Sequence, residues 1–64
     1  MKKRIKKASY VFVIIRNGYY EFALDNGVRG STPFSSAADL GRSLKGLREW
    51  WNLRASQMEV RDDR

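Results

Sequence analysis

The chain of 64 residues contains no cysteine and no histidine. The first absence excludes disulfides, thiolate metal sites and cysteine nucleophiles, and the second removes the commonest general base and metal ligand. Ser35 and Ser36 therefore have no partner that would activate a hydroxyl group, and no Gly-rich phosphate loop is present. The adjacent carboxylates of Asp62 and Asp63 are interpreted as solvated. We expect no enzymatic activity, no catalytic residue, no metal, no cofactor and no small-molecule substrate.

Long apolar runs are also missing. The longest, Tyr10 to Ile15, is interrupted by Arg16 and is too short for a membrane span or a signal peptide. We expect a cytoplasmic, soluble protein without a membrane partner. Its length allows one domain, which buries only about 60% of the surface of the unfolded chain.

Positive charge is in excess. Thirteen Lys and Arg stand against seven Asp and Glu, for a net charge of +6. Such a balance is typical of proteins with a polyanionic partner, most often nucleic acid. Residues 1–8 are interpreted as a flexible basic arm, either a solubilising tail or a segment that neutralises phosphates. Its basic residues are Lys2, Lys3, Arg4, Lys6 and Lys7.

The clearest local signal is Asn17-Gly18 between two β-favouring runs. It predicts a two-residue type I′ turn, with φ > 0 at both positions, that pairs Arg16 with Tyr19. The pairing divides the strand residues into two faces. One is an apolar core face of Val11, Val13, Ile15, Tyr20, Phe22 and Leu24. The other is an outer face of Tyr10, Phe12, Ile14, Arg16, Tyr19, Glu21 and Ala23.

Asp25-Asn26-Gly27 predicts a second turn. A two-residue loop would place Arg29 on the core face, whereas a three-residue loop with Gly27 in the left-handed region pairs Phe22 with Gly30 and keeps the charge outside. We therefore expect a third strand from 28 to about 32. Pro33 ends this strand, which should lie at the edge of the sheet.

A helix is predicted after Phe34. Ser35 or Ser36 caps it, and the negative charge of Asp39 is favourable near the positive end of the helix dipole. Its apolar stripe comprises Ala37, Leu40, Leu44, Leu47, Trp51 and, one heptad later, Met58. We expect the helix to reach Arg54 or Met58, and residues 59–64 to form a charged, fraying tail. Gly41 and Gly46 indicate either close approach to a neighbour or a loosely held helix.

The predicted architecture is α+β. A three-stranded antiparallel sheet, made of two hairpins, carries one C-terminal helix on one face, and residues 9–58 form the single β-β-β-α domain.

The stretches Gly18-Tyr19-Tyr20-Glu21-Phe22-Ala23-Leu24, Asn26-Gly27 and Phe34-Ser35-Ser36 resemble the YegP-like family of small domains, and Leu44 and Leu47 stand at its apolar helix positions. The resemblance covers about residues 10–47 and implies a fold, because that family has no established activity. The chain departs from the family in its shorter third strand, in Pro33, in its basic arm, and in Glu21 and Ala23, where the family tends to carry basic residues.

The hairpin from Ile15 to Tyr20, preceded by a Lys/Arg-rich leader, is also similar to the small N-terminal arm-binding domain of phage-type integrases. That domain lays a three-stranded sheet in the major groove of DNA. This resemblance covers some ten residues and the general layout, and it implies DNA binding through Arg16, Tyr19 and Arg29.

Nucleic-acid binding is the predicted function, with DNA favoured over RNA. Aromatic side chains interleaved with guanidinium groups on the helix-free sheet face can stack on bases or contact phosphates and base edges. The basic arm would assist. On the sheet the candidate residues are Tyr10, Phe12, Arg16, Tyr19 and Arg29.

The alternative is a protein-interaction module. It would be a homodimer or a small inhibitor of a larger complex, as phage and mobile-element proteins of this size often are. Phe12 and Ile14 form an apolar patch on the outer face, and such patches often mark interfaces. Trp50 is either a flanking core residue or an interface anchor. Arg42, Lys45 and Arg48 form a basic helix face that is either solvated or binds an acidic partner.

Overall fold

A computed structural model describes residues 7–64. The elements are β1 (Val11–Arg16), β2 (Tyr19–Leu24), β3 (Arg29–Pro33), α1 (Ala37–Trp50), a 3-10 turn (Ala55–Gln57) and β4 (Met58–Asp62). The strand order is β3-β2-β1-β4, and β4 runs parallel to β1. The α+β class is therefore confirmed. The prediction of three antiparallel strands is wrong, because the sheet is mixed and has four strands.

The first hairpin has the predicted register, from Arg16 opposite Tyr19 to Val11 opposite Leu24. Its turn is not type I′. Gly18 has φ +88°, but Asn52 is the only non-glycine among the described residues with positive φ, so Asn17 has an ordinary φ. Positive φ at the second central residue alone is the pattern of a type II turn. The pairing was therefore predicted correctly, and the turn type was not.

The second turn has the predicted register. Gly27 has φ +96°, the Leu24 N–H donates to the Val28 carbonyl (2.8 Å), and Phe22 lies opposite Gly30. A Cβ at position 30 would lie 3.1 Å from Cζ of Phe22, so glycine makes room for that ring. β3 is an edge strand that ends at Pro33, as predicted.

The helix begins where the capping signal placed it. Ser36 is the N-cap, and its Oγ accepts from the Asp39 N–H (3.1 Å). The Asp39 carboxylate in turn accepts from the Ser35 N–H (3.0 Å). These contacts satisfy free N–H groups at the start of α1.

The helix ends at Trp50, so the prediction that it reaches Arg54 or Met58 is wrong. Asn52 takes the left-handed conformation (φ 58°) and donates its N–H to the Glu49 carbonyl, while the Leu53 N–H donates to Arg48 (2.9 Å). This pair of bonds is a Schellman motif, which stops a helix by satisfying its last carbonyls. It also turns Leu53 into the core, where this side chain is 6% exposed.

The predicted tail is strand β4, which corrects the interpretation of residues 59–64. Its register runs from Val11 beside Met58 to Ile15 beside Asp62, so Met58 belongs to a strand and not to the helix stripe. A frayed tail would leave one edge of β1 without hydrogen bonds, although the side chains of Val11 and Val13 are fully buried. β4 supplies those bonds.

The core lies between the sheet and α1, and the predicted core face is largely confirmed. Phe22 is only half-buried, and Gly30 opposite it has no side chain to cover the ring. The Tyr20 hydroxyl is 2.7 Å from Ser43 Oγ and links the sheet to the helix. Gly41 and Gly46 have open space around them, which excludes close approach as their reason. The buried hydrophobic residues are Val11, Val13, Ile15, Tyr20, Leu24, Leu40 and Leu53.

Candidate nucleic-acid interface

The helix-free face of the sheet brings together the sheet residues predicted to contact nucleic acid. Tyr10, Phe12 and Tyr19 are each close to 40% exposed there. The strand registers arrange this outer face in three transverse rows, which run from β3 to β4. In order they are Arg29-Ala23-Phe12-Glu59, Ser31-Glu21-Ile14-Arg61 and Pro33-Tyr19-Arg16-Asp63, where Asp63 directly follows β4.

Each row holds one arginine and one carboxylate, so the outer face carries no excess of positive charge. Two of the acidic residues, Glu59 and Asp63, arrive only because the C-terminal segment joins the sheet. A polyanion gains little from a surface on which carboxylates neutralise the guanidinium groups. The sequence-based prediction missed this, since it placed residues 59–64 in a tail.

The neutralisation of a guanidinium group by carboxylates is clearest at Arg16. Its Nη1 donates to Asp63 Oδ2 (2.7 Å), and its Nη2 lies 3.5 Å from Glu21 Oε1. A phosphate would have to replace two carboxylates. Arg29 and Arg61 have no ion-pair partner among the described residues, so they are the available cations of this face.

Tyr10 is also engaged by β4. Its hydroxyl donates to Glu59 Oε1 (2.7 Å), and this hydrogen bond, with partial burial and the nearby negative charge, raises the pKa of the Tyr10 phenol above its usual value. The residue as a whole remains 37% exposed. Tyr10 is therefore partly accessible to a ligand while its hydroxyl stays occupied.

A shallow concavity of about 410 Å³ lies on this same face. Its lining combines the apolar side chains of Phe12, Ile14 and Ala23 with the charged side chains of Glu21 and Arg29. Protein-binding surfaces commonly combine exposed apolar side chains with polar groups in this way.

The chain enters the sheet from an anchored point. Asp25 Oδ1 accepts from the N–H groups of Ser9 (2.9 Å) and Tyr10 (3.3 Å), and Oδ2 accepts from the Ser9 hydroxyl. The side-chain and backbone hydrogen bonds from Ser9 lower the pKa of the Asp25 carboxyl. This contact fixes the backbone at Ser9 and Tyr10, directly before β1.

The anchored segment places Lys7 beside the end of α1. Lys7 and Ala8 line a second concavity of about 470 Å³ together with Trp50, Trp51 and Asn52. Trp51 is half-buried against the core, whereas Trp50 is 80% exposed. Trp50 is therefore not a flanking core residue, and Lys7 lines the same concavity as this side chain, the most exposed large apolar one in residues 7–64.

The basic helix residues do not act as one surface. Arg42 and Lys45 are exposed, but Arg48 is half-buried and its Nη1 donates to the Leu53 carbonyl (3.2 Å). Arg48 therefore supports the turn that ends the helix.

The charge of the described residues is modest. Residues 7–64 carry nine Lys and Arg against seven Asp and Glu, a net charge of +2, compared with +6 for the whole chain. The predicted contacts of Lys2, Lys3, Arg4 and Lys6 lie outside the described residues. Most of the excess positive charge therefore belongs to the segment that directly precedes Lys7 in the sequence.

The terminal carboxylates do not converge on a common point. The Asp62 carboxylate accepts from the Arg64 guanidinium (2.8 and 2.9 Å), which lowers its pKa to about 2, whereas Asp63 pairs with Arg16. In residues 7–64 no cluster of three or more acidic side chains is arranged to hold a metal ion.

Among these residues, likewise, no helix has the length and apolar character needed to cross a bilayer. No protein-family model, curated protein or solved structure matches the chain. The resemblances to the YegP-like family and to the integrase arm-binding domain therefore stay hypotheses.

Proposed function

We propose that the chain is a small cytoplasmic nucleic-acid-binding domain, with DNA as the first ligand to test. The observation that carries the proposal is the position of Lys7, which follows four other basic residues in the sequence and lines the same concavity as the exposed Trp50. Cationic side chains neutralise phosphates, and an exposed indole offers a surface on which an unpaired base can stack. Together they provide the two contacts that sequence-tolerant binding needs.

The arm would supply most of the affinity. If all five of its basic residues engaged phosphates, log affinity would fall with log salt at a slope of about −4.5 on duplex DNA and about −3.5 on a single strand. The sheet face would contribute less, because its arginines are balanced by carboxylates. Arg29 is the sheet residue best placed to add a phosphate contact, since Phe12 and Arg29 share the row nearest the arm.

Fluorescence titration with a mixed-sequence single strand and with the matching duplex tests the proposal at several salt concentrations. Replacing the five basic arm residues with glutamine should remove most of the salt dependence. Trp50→Ala should weaken single-strand binding by about 5- to 150-fold, which corresponds to about 1 to 3 kcal/mol for one stacked base, and should change duplex binding little.

The matched control is Arg42→Gln combined with Lys45→Gln, which removes exposed cations from the helix and leaves the arm intact. It should reduce the salt slope far less than the arm variant does. If wild type fails to bind either DNA, or if the arm and helix variants behave alike, the proposal is wrong.

A second candidate function is protein binding by the outer sheet face. It is favoured by the charge-balanced rows and by the concavity around Phe12, which is 40% exposed. In that case Phe12→Arg should abolish association with a specific partner, while Trp50→Ala should leave it unchanged. The opposite pattern would assign the interface to the helix end.

A further inference from the structure

We propose that two copies of this chain pair through β4, antiparallel, with Val60 opposite Val60 of the second copy. The two four-stranded sheets would then form one continuous sheet across a two-fold axis. The proposal does not rest on nucleic-acid binding, because it concerns a different edge of the fold and its test measures mass.

The two edges of the sheet differ in their capacity to pair. β3 contains Gly30 and ends at Pro33, which has no N–H to donate, and both features discourage a further strand. β4 has neither residue type, and four of its five residues are exposed. It is therefore the edge that can accept another strand.

The hydrogen bonds between β4 and β1 determine which backbone groups of β4 are free to pair with another strand. The Asp63 N–H donates to the Ile15 carbonyl (2.9 Å), and Ile15 lies beside Asp62. Because backbone direction alternates along a strand, Glu59 and Arg61 also direct their N–H and C=O groups toward β1. The same groups of Met58, Val60 and Asp62 consequently point away from the sheet. When Val60 meets Val60 in an antiparallel pair, all of these outward groups find partners.

The side chains select the same register. With Val60 on the two-fold axis, Glu59 stands opposite Arg61 of the second copy, and the contact occurs twice. A shift of two residues would place either Glu59 opposite Glu59 or Arg61 opposite Arg61, and like charges directly opposite each other destabilise a sheet. A shift of one residue would place backbone groups that point away from the sheet opposite groups that point toward β1, and these cannot pair.

The residues involved are available for these contacts. Arg61 has no ion-pair partner among the described residues, and Glu59 uses Oε1 for Tyr10, so its Oε2 is left to meet a guanidinium. Val60 is 43% exposed on the helix side of the sheet, and pairing would cover it with its own copy. The partner that fits this edge is therefore a second copy of the chain.

Light scattering coupled to size exclusion tests the proposal at the concentrations used for NMR. Wild type should show twice the chain mass of 7.5 kDa. Glu59→Arg and Arg61→Glu should each raise the dimer dissociation constant by about tenfold or more, because two attractive cross-strand pairs become repulsive. An equimolar mixture of these two variants should recover the doubled mass, since every pair in the mixed dimer is again complementary.

Two variants serve as controls. Arg29→Glu makes the same charge change on the outer face at the opposite edge and should leave the dimer intact. Tyr10→Phe removes the hydrogen bond to Glu59 without changing any charge and should also remain dimeric. Amide NMR spectra would establish that each variant is folded.

A wild-type chain that keeps the mass of 7.5 kDa at high concentration would overturn the proposal. So would charge variants that dimerise as well as wild type, which would place the contact elsewhere. A mixture of Glu59→Arg and Arg61→Glu that remains monomeric would overturn the register.

Discussion

β2 and β4 flank the same central strand, yet they are held there in different ways. β2 follows β1 after a two-residue turn, pairs antiparallel and buries Tyr20 and Leu24. β4 returns only after a helix, pairs parallel and is mostly exposed. The comparison teaches that a strand specified by local turn chemistry is readable in the sequence. A strand recruited by an open sheet edge is much harder to read.

Removing residues 58–64 should have the largest effect on stability, and it tests how much β4 contributes. The deletion would leave the β1 edge unpaired and would uncover Val11 and Val13, and a chain of this length has only about 3 to 10 kcal/mol of total stability. We expect the shortened chain to lose cooperative unfolding in urea, monitored by circular dichroism.

The control for that deletion removes Arg64 alone. It breaks only the exposed pair with Asp62 and should change the free energy of unfolding by less than about 1 kcal/mol. If the chain without residues 58–64 unfolded like wild type, the segment would be the frayed tail that its composition suggested.

The next largest effect on stability is expected from alanine substitutions at two paired residues of β1 and β4. Val13 and Val60 lie side by side, but Val13 is fully buried and Val60 is 43% exposed. Val13→Ala should lower the free energy of unfolding by about 2 kcal/mol, and Val60→Ala by less than about 1 kcal/mol. Urea unfolding at low protein concentration measures both values. Equal effects would mean that β4 is buried as deeply as β1.

The turn that directs the chain from α1 toward β4 depends on Asn52. A left-handed conformation is unfavourable for residues with a Cβ, although asparagine tolerates it better than most, so Asn52→Ala should destabilise the protein by about 1 kcal/mol. Asn52→Gly should be neutral or stabilising for the same reason. Thermal unfolding of the two variants compares them directly. A destabilising glycine would show that the asparagine side chain, and not φ, is what the turn requires.

The smallest effect concerns the anchor at the start of β1. Because hydrogen bonds from Ser9 lower the pKa of Asp25 in the folded protein, ionised Asp25 contributes stability above its ordinary pKa. That contribution is lost as pH falls through the lowered, folded-state pKa. We expect the melting temperature to fall as the pH drops below the ordinary aspartate pKa of about 4. Asp25→Asn should reduce this dependence, and an unchanged pH profile would contradict the anchor.

The candidate site was only partly predictable. The alternation of β1 and β2 correctly placed Tyr10, Phe12, Arg16 and Tyr19 on one face. The carboxylates that balance this face could not be placed, because Glu59 and Asp63 are more than 40 residues away from their partners Tyr10 and Arg16. A signal did exist in residues 58–62, where Met58 and Val60 alternate with charged side chains in the period of a strand. The alternation covers too few residues to be recognised as a strand.

The two hairpins, the start of the helix and most of the core face follow from local patterns, because Asn-Gly, Gly27, Ser36 and apolar alternation act over a few residues. The tertiary structure alone decided where the helix stops, that residues 58–62 pair with β1, and that Trp50 and Lys7 lie together. The first two features depend on burying Leu53 and on satisfying the open edge of β1, whereas the third depends on the hydrogen bonds that anchor Ser9 and Tyr10 to Asp25. The first two requirements arise only once the hairpin and the helix have packed together.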